Sequence, residues 1–592
     1  MIDQATLTVI YPPLLVVLAA ICLAFAPRVI GFGLGVASLV AVIGLAVLTP
    51  AGTHLEGWFL GIQVVPFLVD DFTRLIGLGL AFLGVWAIVY AYASDASRVM
   101  TAFGLAYIGS SIGAAFAGDW LVMVFMVELM AVTSTLLVWH YGGEAVRAGY
   151  RYSLAHGIAG NLLLLAVVWH YVETGTVIFE GGIAPGIPMF LAAAGLGINV
   201  AFIGFHTWLP DTYPRPHFAA SVFLSVYTTK TSAYILYRAF PDGHLYIAYM
   251  GGAMAVFGVV FALLQHDMRA LLSYHIQAQL GYIVAGIGLG TTVGVVAAMA
   301  HLFNNVLFKS LLFMAVGVVI YRTGENDLYK LGGLWREMPW TAVAFAIGAL
   351  SITAMPGFNG FISKGMLLDT ASGYFGGEEY RALYWLLYIG AVGTLLSFIK
   401  LGYYVFFHGE SDRSVADATA GRTIAMLAVG GACILIGVWW QGFVDLLPMV
   451  EDATIAGDVH LHPYSTSHLI DAFELLAIAS VGFVLIRKPL ATLEVKDPAM
   501  LVNPAGFYLG RWSMQAVTES YAAIDAVAVL LVKRCYWAGA NPVSVVSQTA
   551  ERVPGLDTSV DPDESTLQLR ASIGTSVMLI TILIVAALVI VL

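Results

Sequence analysis

Apolar runs of about twenty residues recur along this chain, and that length is what a helix needs to cross the hydrocarbon core of a bilayer. Sixteen segments qualify, at roughly 7–26, 29–49, 72–93, 98–117, 119–139, 149–172, 186–206, 217–239, 246–266, 270–288, 291–321, 340–372, 379–407, 423–447, 469–486 and 571–592. The 592 residues are 60% hydrophobic and only 11% charged. A soluble domain carries about 25% charged residues. The expected class is therefore an all-α polytopic membrane protein embedded in a lipid bilayer, with about sixteen transmembrane helices. Residues 53–71 read as an external hairpin or re-entrant piece. The first apolar run lacks a basic leader and a cleavage site, so it is expected to be a retained helix. The net charge of −11 gives no reason to expect nucleic acid. Cys22, Cys433 and Cys535 are far apart and lack metal-site spacing, so no disulfide framework, metal or cofactor is expected.

Charge placement tests the helix count. With the N-terminus outside and strict alternation, Arg74, Arg238 and Arg381 face outward. Four lysines lie inside the membrane, and the other nineteen of the 26 lysines and arginines face inward. That is the asymmetry of the positive-inside rule. Alternation over sixteen helices places both termini outside.

The four membrane lysines are Lys230, Lys309, Lys364 and Lys400. One lysine at the middle of a membrane helix costs about 2.5–3.5 kcal/mol on insertion scales. Four cost on the order of 10–14 kcal/mol, comparable to the stability of an ordinary domain. Only partners, internal water or neutralisation reduce that cost. A lysine removed from water holds its proton less tightly and can become a carrier. Proton or cation transport follows as the leading function class.

Two long segments are interrupted near proline, at Phe205-His206-Thr207-Trp208-Leu209-Pro210-Asp211 and at Ala354-Met355-Pro356-Gly357-Phe358-Asn359-Gly360. Proline frees helix carbonyls, which a membrane tolerates only against protein or a wet cavity. Paired broken helices point to the ion path of a transporter. The halves echo one another further. Ala155-His156 precedes the first break much as Ala300-His301 precedes the second, and Lys230 with Tyr234 matches Lys400 with Tyr404. Residues 98–239 and 246–408 are thus expected to be two five-helix repeats with one broken helix each. An odd helix number inverts the second. Residues 1–97 would be N-terminal helices, and 409–487 peripheral ones. Residues 488–592 would hold an amphipathic helix on the cytoplasmic surface, centred on 513–537, and the terminal span. That helix could pack on its own bundle or strap a neighbouring subunit.

Other polar residues fall in the same apolar helices. Glu128 is the only acidic residue deep in its helix. Lys230 has threonines and a serine beside it that can hold water. His301, Asn305 and Lys309 follow one another at i, i+4, i+8, along one helix face over about 12 Å. Imidazole exchanges protons near neutral pH, so that row suits a hydrated relay. Lys364 is placed to end the relay on one side. Lys400 belongs either to the relay or to the interface, and His156 either to the path or to a polar pocket. His460, His462 and His468 with Asp458 read as a solvated loop. The Gly286, Gly288 and Gly290 set lacks the strand–turn–helix context of a dinucleotide loop.

The chain resembles the antiporter-like, proton-conducting membrane subunits of Mrp-type cation/proton antiporters, respiratory complex I and membrane-bound hydrogenases. The resemblance runs from about 60 to 410. It rests on the Glu128 helix, His206–Asp211, Gln265–Arg269, Tyr274–Tyr282, His301–Lys309, Asp327–Leu334 and Pro356–Phe361 with Lys364. The D-type subunit of Mrp antiporters is the most similar kind. The resemblance implies that Glu128 couples to a neighbouring subunit or to a channel lysine. It also implies that Lys230 and His301 carry protons across the midplane, and that Lys309 and Lys364 lead them out. Two departures stand out. Asn199 occupies the position, seven residues before His206, where the family has a lysine, and Asn305 stands where a histidine is common. Glu128 then needs another cation, either Lys230 or a neighbour's residue.

The expected function is a proton-translocating subunit of a multisubunit Na+/proton antiporter, working with other membrane subunits, protons and a monovalent cation rather than as an enzyme. The alternatives are the ion-pumping subunit of a redox complex or hydrogenase, a proton-feeding subunit of bicarbonate or CO2 uptake with a zinc-bearing partner, and a non-conducting scaffold.

Overall fold

A computed structural model describes residues 10–374, 379–410, 414–450, 462–493 and 499–541, with short stretches at 544–545, 548–549, 552 and 580–584. The sixteenth expected span, 571–592, and residues Asp458 and His460 fall largely or wholly outside them. Among the described residues, eleven helices are long and apolar enough to cross a membrane. The protein is a multi-pass membrane protein.

The first unit, through Met500, is helical apart from one hairpin. Its opening helices are α1 (Pro12–Phe25) and α2 (Arg28–Leu48). The hairpin pairs β1 (Gly52–Phe59) with β2 (Ile62–Val69), antiparallel, where the sequence suggested an external hairpin. Gly57 lies within β1 and Pro66 within β2. Then come α3 (Asp71–Ala93), α4 (Arg98–Phe116), α5 (Trp120–Trp139) and α6 (Glu144–Thr174). The next three segments are α7 (Ile187–Asn199), the short α8 (Trp208–Thr212), and the pair α9 (Phe218–Leu224) and α10 (Tyr227–Ala239). After them run α11 (Leu245–Leu263), α12 (Met268–Gly288) and α13 (Thr292–Thr323). A second broken segment is α14 (Pro339–Ile352) with α15 (Asn359–Ser372). The unit closes with α16 (Arg381–Gly402), α17 (Ala420–Val438) and α18 (Thr466–Thr492).

The expectation of one broken helix per repeat fails for the first half. Residues 217–239 are not one helix but two, separated at Ser225–Val226, with Val226 at φ −121°, ψ −63°. Neither proline nor glycine marks this break. The other two breaks share one geometry. Ala201 and Ala354 both adopt left-handed backbone, at φ 60° and 59°. In each, the next amide reaches back five residues, Phe202 to the Gly197 carbonyl and Met355 to the Leu350 carbonyl, both at 2.9 Å or less. This is the Schellman ending, with alanine where glycine is usual. A left-handed alanine costs about 1–2 kcal/mol, so surrounding packing holds it.

The halves match at their helix entrances too. Asp119 caps α5 and bridges to Ile178, while Asp267 caps α12 and bridges to Asp327. The α6 and α13 helices end on left-handed Gly175 and Gly324. Counted back from those glycines, His156 aligns with Asn305, not with His301 as the sequence echo suggested.

The α11–α12 contact sets the back wall of the buried polar region. Backbone meets backbone where Gly251 faces Gly281, Gly258 faces Ala278 and Gly288 faces Ala248. A Cβ on Gly281 would lie 2.5 Å from the Gly251 carbonyl oxygen. Small residues permit such close packing in membranes. The second unit, from Leu501, is carried by α19 (Ala499–Ala540), a 42-residue helix about 63 Å long that includes the amphipathic stretch read at 513–537.

Gly281→Val is expected to lower stability by roughly 1–3 kcal/mol through overpacking. Gly33→Val, where nothing lies within 4 Å of the added carbon, is expected to be neutral. Thermal unfolding in detergent reads both.

Candidate functional site

The four membrane lysines are buried, each 1% exposed or less. None has a carboxylate within 4 Å among the described residues. Each rests on backbone carbonyls instead. Lys230 Nζ donates to the Ser225 carbonyl at 2.7 Å and to Thr229 Oγ1 at 3.2 Å. Ser225 is the residue at the α9–α10 break, so the break supplies the acceptor. Lys364 Nζ donates to the Ile352 carbonyl, the last of α14, at 2.9 Å, and lies 4.7 Å from the Tyr282 ring. Lys309 Nζ donates to the Leu272 carbonyl at 3.1 Å.

Lys400 differs. It donates to the Leu263 and Gln265 carbonyls, both at 2.8 Å, and lies 5.1 Å from the Tyr329 ring. It caps the C-terminus of α11, a favourable place for a cation. It neither snorkels into solvent nor mirrors Lys230, which lies at a mid-helix break.

His301 sits between the Ser363 hydroxyl and the Gln279 carboxamide oxygen. Nδ1 is 3.0 Å from Ser363 Oγ, and Nε2 is 3.2 Å from Gln279 Oε1. Gln279 in turn donates to Thr394 Oγ1 at 3.3 Å. Ser363 adjoins Lys364, so α13 and α15 meet where the histidine and that lysine are adjacent in the chain of contacts. His156 Nδ1 donates to Asn199 Oδ1 at 2.7 Å. The imidazole is packed between Tyr152 and Trp208, at 4.1 and 4.5 Å between centroids. Asn199 is thus a neutral hydrogen-bond partner of His156.

Asn305 is fully buried, and neither end of its carboxamide has a protein partner. The same holds for both ring nitrogens of His275 on α12. Buried polar groups are ordinarily paired with protein or water. Asn304, one residue earlier, donates to the Asn359 carbonyl at 2.8 Å and ties α13 to the second break. Sequence reading did not single out His275, Gln279, Ser363, Asn304 or Thr394. Their types were visible, but which helix they faced was not.

Glu128 lies apart from the lysines. It is half-buried, beside the exposed Phe125 and Leu129. Its carboxylate rests on Gly160 of α6, where an added Cβ would fall 1.2 Å from Oε1. No ion pair to Lys230 forms.

Two cavities lie among these helices. One, of about 820 Å³, is lined by Glu144, Asp211, Arg215, Gln265, Asp267 and Arg269 among others. Arg151 Nε binds Asp211 Oδ2 at 2.6 Å, and Arg215 bridges Asp211 and Glu144 at 3.5 and 2.5 Å. The other, of about 460 Å³, is lined by Lys364 and by residues of α15, α16 and α18. His468, read from sequence as part of a solvated loop, is in α18 and lies 3.1 Å from Asp369.

Residues 117–397 match the family described as NADH:quinone oxidoreductase/Mrp antiporter, TM. The chain is 28% identical over 416 residues to the uncharacterized protein MJ1309 of Methanocaldococcus jannaschii, covering 65% of this chain and 83% of that one. It is 27% identical over 389 residues to the D-type Na(+)/H(+) antiporter subunit of Alkalihalophilus pseudofirmus, covering 62% and 78%. A chain of the Mrp complex from Dietzia sp. DQ12-45-1b shares the fold, with TM-score 0.68 and 22% identity over 80% of this chain and 100% of that one. The chain is thus similar to the antiporter-like membrane subunits over residues 117–397, and its relatives and its fold agree with that likeness.

Proposed function

We propose that this chain is the proton-translocating membrane subunit of a multisubunit Na+/proton antiporter, embedded in a prokaryotic inner membrane beside other membrane subunits. The observation that carries this is the set of buried lysines held by carbonyls rather than carboxylates. A carbonyl accepts from an ammonium and from a neutral amine alike. The lysine can therefore release its proton without leaving an unpaired carboxylate behind. A carboxylate partner would hold the proton in place.

The path runs from Lys230 past Asn199 and His156 to His301, Lys309 and Lys364. The unpartnered polar atoms of His275 and Asn305 support a wet interior, since unpaired they would each cost about 1–3 kcal/mol. The larger cavity, with its Asp211 ion pairs, is the cytoplasmic intake. The matching Schellman breaks and capped helix entrances support two inverted repeats, 98–239 and 246–408, one opening to each side. Glu128, turned to the periphery without an ion pair, acts as the coupling carboxylate toward a neighbouring subunit's cation. Asn199 and Asn305 leave fewer titratable stops, and water spans the gaps. Lys400 steadies α11 at the edge of this path.

A redox-driven pump is the second reading, because the matched family description also names NADH:quinone oxidoreductase. Partners separate the two. Mild-detergent purification is expected to retain small membrane subunits without iron–sulfur, nickel–iron or zinc proteins; recovery of any of those would favour redox or carbon uptake.

Lys230→Ala, Glu128→Gln and His301→Ala are each expected to lower cation-driven proton flux at least tenfold in vesicles, with the complex still assembled. Normal flux in all three would sink the assignment.

A further inference from the structure

The 460 Å³ cavity brings together residues that are distant in sequence. Lys364, though only 1% exposed, lines it, and so do Asp369 on the same helix and His468, Asp471 and Glu474 on α18. Lys364 and Asp369 are five residues apart on α15, about 7.5 Å along the axis. His468 Nε2 lies 3.1 Å from Asp369 Oδ2, with the two side chains 17% and 18% exposed. Asp471 and Glu474 follow at i+3 and i+6, and both are exposed. The series thus grades from a buried amine, through a part-buried imidazole–carboxylate pair, to solvated carboxylates.

We propose that this cavity is the outer release port of the proton path, and that the Asp369–His468 pair passes protons between Lys364 and the outside. This rests on the proton-translocating reading above. It adds α18, which lies beyond the matched residues 117–397, to the conducting machinery.

The step is a plain proton transfer. An Nζ–H bond of Lys364 breaks and an O–H bond forms on the Asp369 carboxylate, through intervening water. The proton then moves to His468 Nε2 and on to solvent at Asp471 and Glu474, and the lysine is left neutral on the Ile352 carbonyl. An imidazole hydrogen-bonded to a carboxylate suits this exchange, because it can take a proton at one ring nitrogen and give one up at the other.

Gly365 provides a probe. It lines the cavity next to Lys364, and an added Cβ there meets nothing within 4 Å. A cysteine therefore fits without displacing neighbours. In the assembled complex, with Cys22 and Cys535 replaced, Gly365→Cys is expected to react with a membrane-impermeant thiol reagent from the outer side only. That labelling is expected to slow proton flux at least fivefold. Asp369→Asn and His468→Ala are expected to slow flux at least tenfold, while Asp369→Glu restores at least half of it.

A Gly365→Cys thiol that stays unlabelled from outside, or is labelled from the cytoplasmic side, overturns the port. So does wild-type flux in Asp369→Asn and His468→Ala. If His301→Ala arrests flux while those two do not, the antiporter reading stands and only the release port falls. A wild-type complex that carries no cation-driven proton flux removes the antiporter reading itself, whereas the sidedness of Gly365→Cys labelling does not depend on transport.

Discussion

A helix that stops inside a membrane leaves carbonyls without partners, and in this protein those carbonyls hold lysines. Ser225 at one break takes Lys230, and Ile352 at another takes Lys364. Each pairing meets two needs at once. The freed carbonyl gains a donor, and the ammonium gains an acceptor without an opposing fixed charge. Unpaired, either group would be costly in hydrocarbon. Lys400 obeys the same rule at an ordinary helix end, the C-terminus of α11. The interruptions are therefore tied to the charges, and removing one leaves the other exposed.

The rest of the bundle supports that arrangement. Glycines on α11 and α12 let the two helices close until their backbones touch. This fixes Gln279 and Tyr282 against His301 and Lys364. Asn304 and Asn359 bind each other's helix carbonyls and pin the second break to α13. At the two cavities, ion pairs are present and side chains are more exposed. Arg151, Asp211, Arg215 and Glu144 form one chain of contacts, and Asp369 meets His468 at the other cavity. Charge is thus paired with opposite charge at the cavities and held by neutral groups among the buried helices.

The apolar runs and the lysines were legible because membrane length and charge are strong one-dimensional signals. The two breaks near Pro210 and Pro356 were legible for the same reason, although the turns themselves occur at Ala201 and Ala354, before the prolines. The break at Ser225 was not legible, because no residue there forbids helix. Glu128 was expected to find either Lys230 or a neighbour's residue, and its helix turns it away from Lys230, toward Gly160 and the periphery. The facing of a polar side chain in a helix apolar all round cannot be read from periodicity. Ser363, Gln279 and His275 escaped notice for that reason. His468 escaped because its partner, Asp369, is about a hundred residues away in sequence.

The most direct test is a structure of the assembled complex that resolves ordered water. The account predicts water bonded to the ring nitrogens of His275 and to the carboxamide of Asn305, continuous with the amines of Lys309 and Lys364. Side chains packed dry around those groups, with no water joining the lysines, would contradict it.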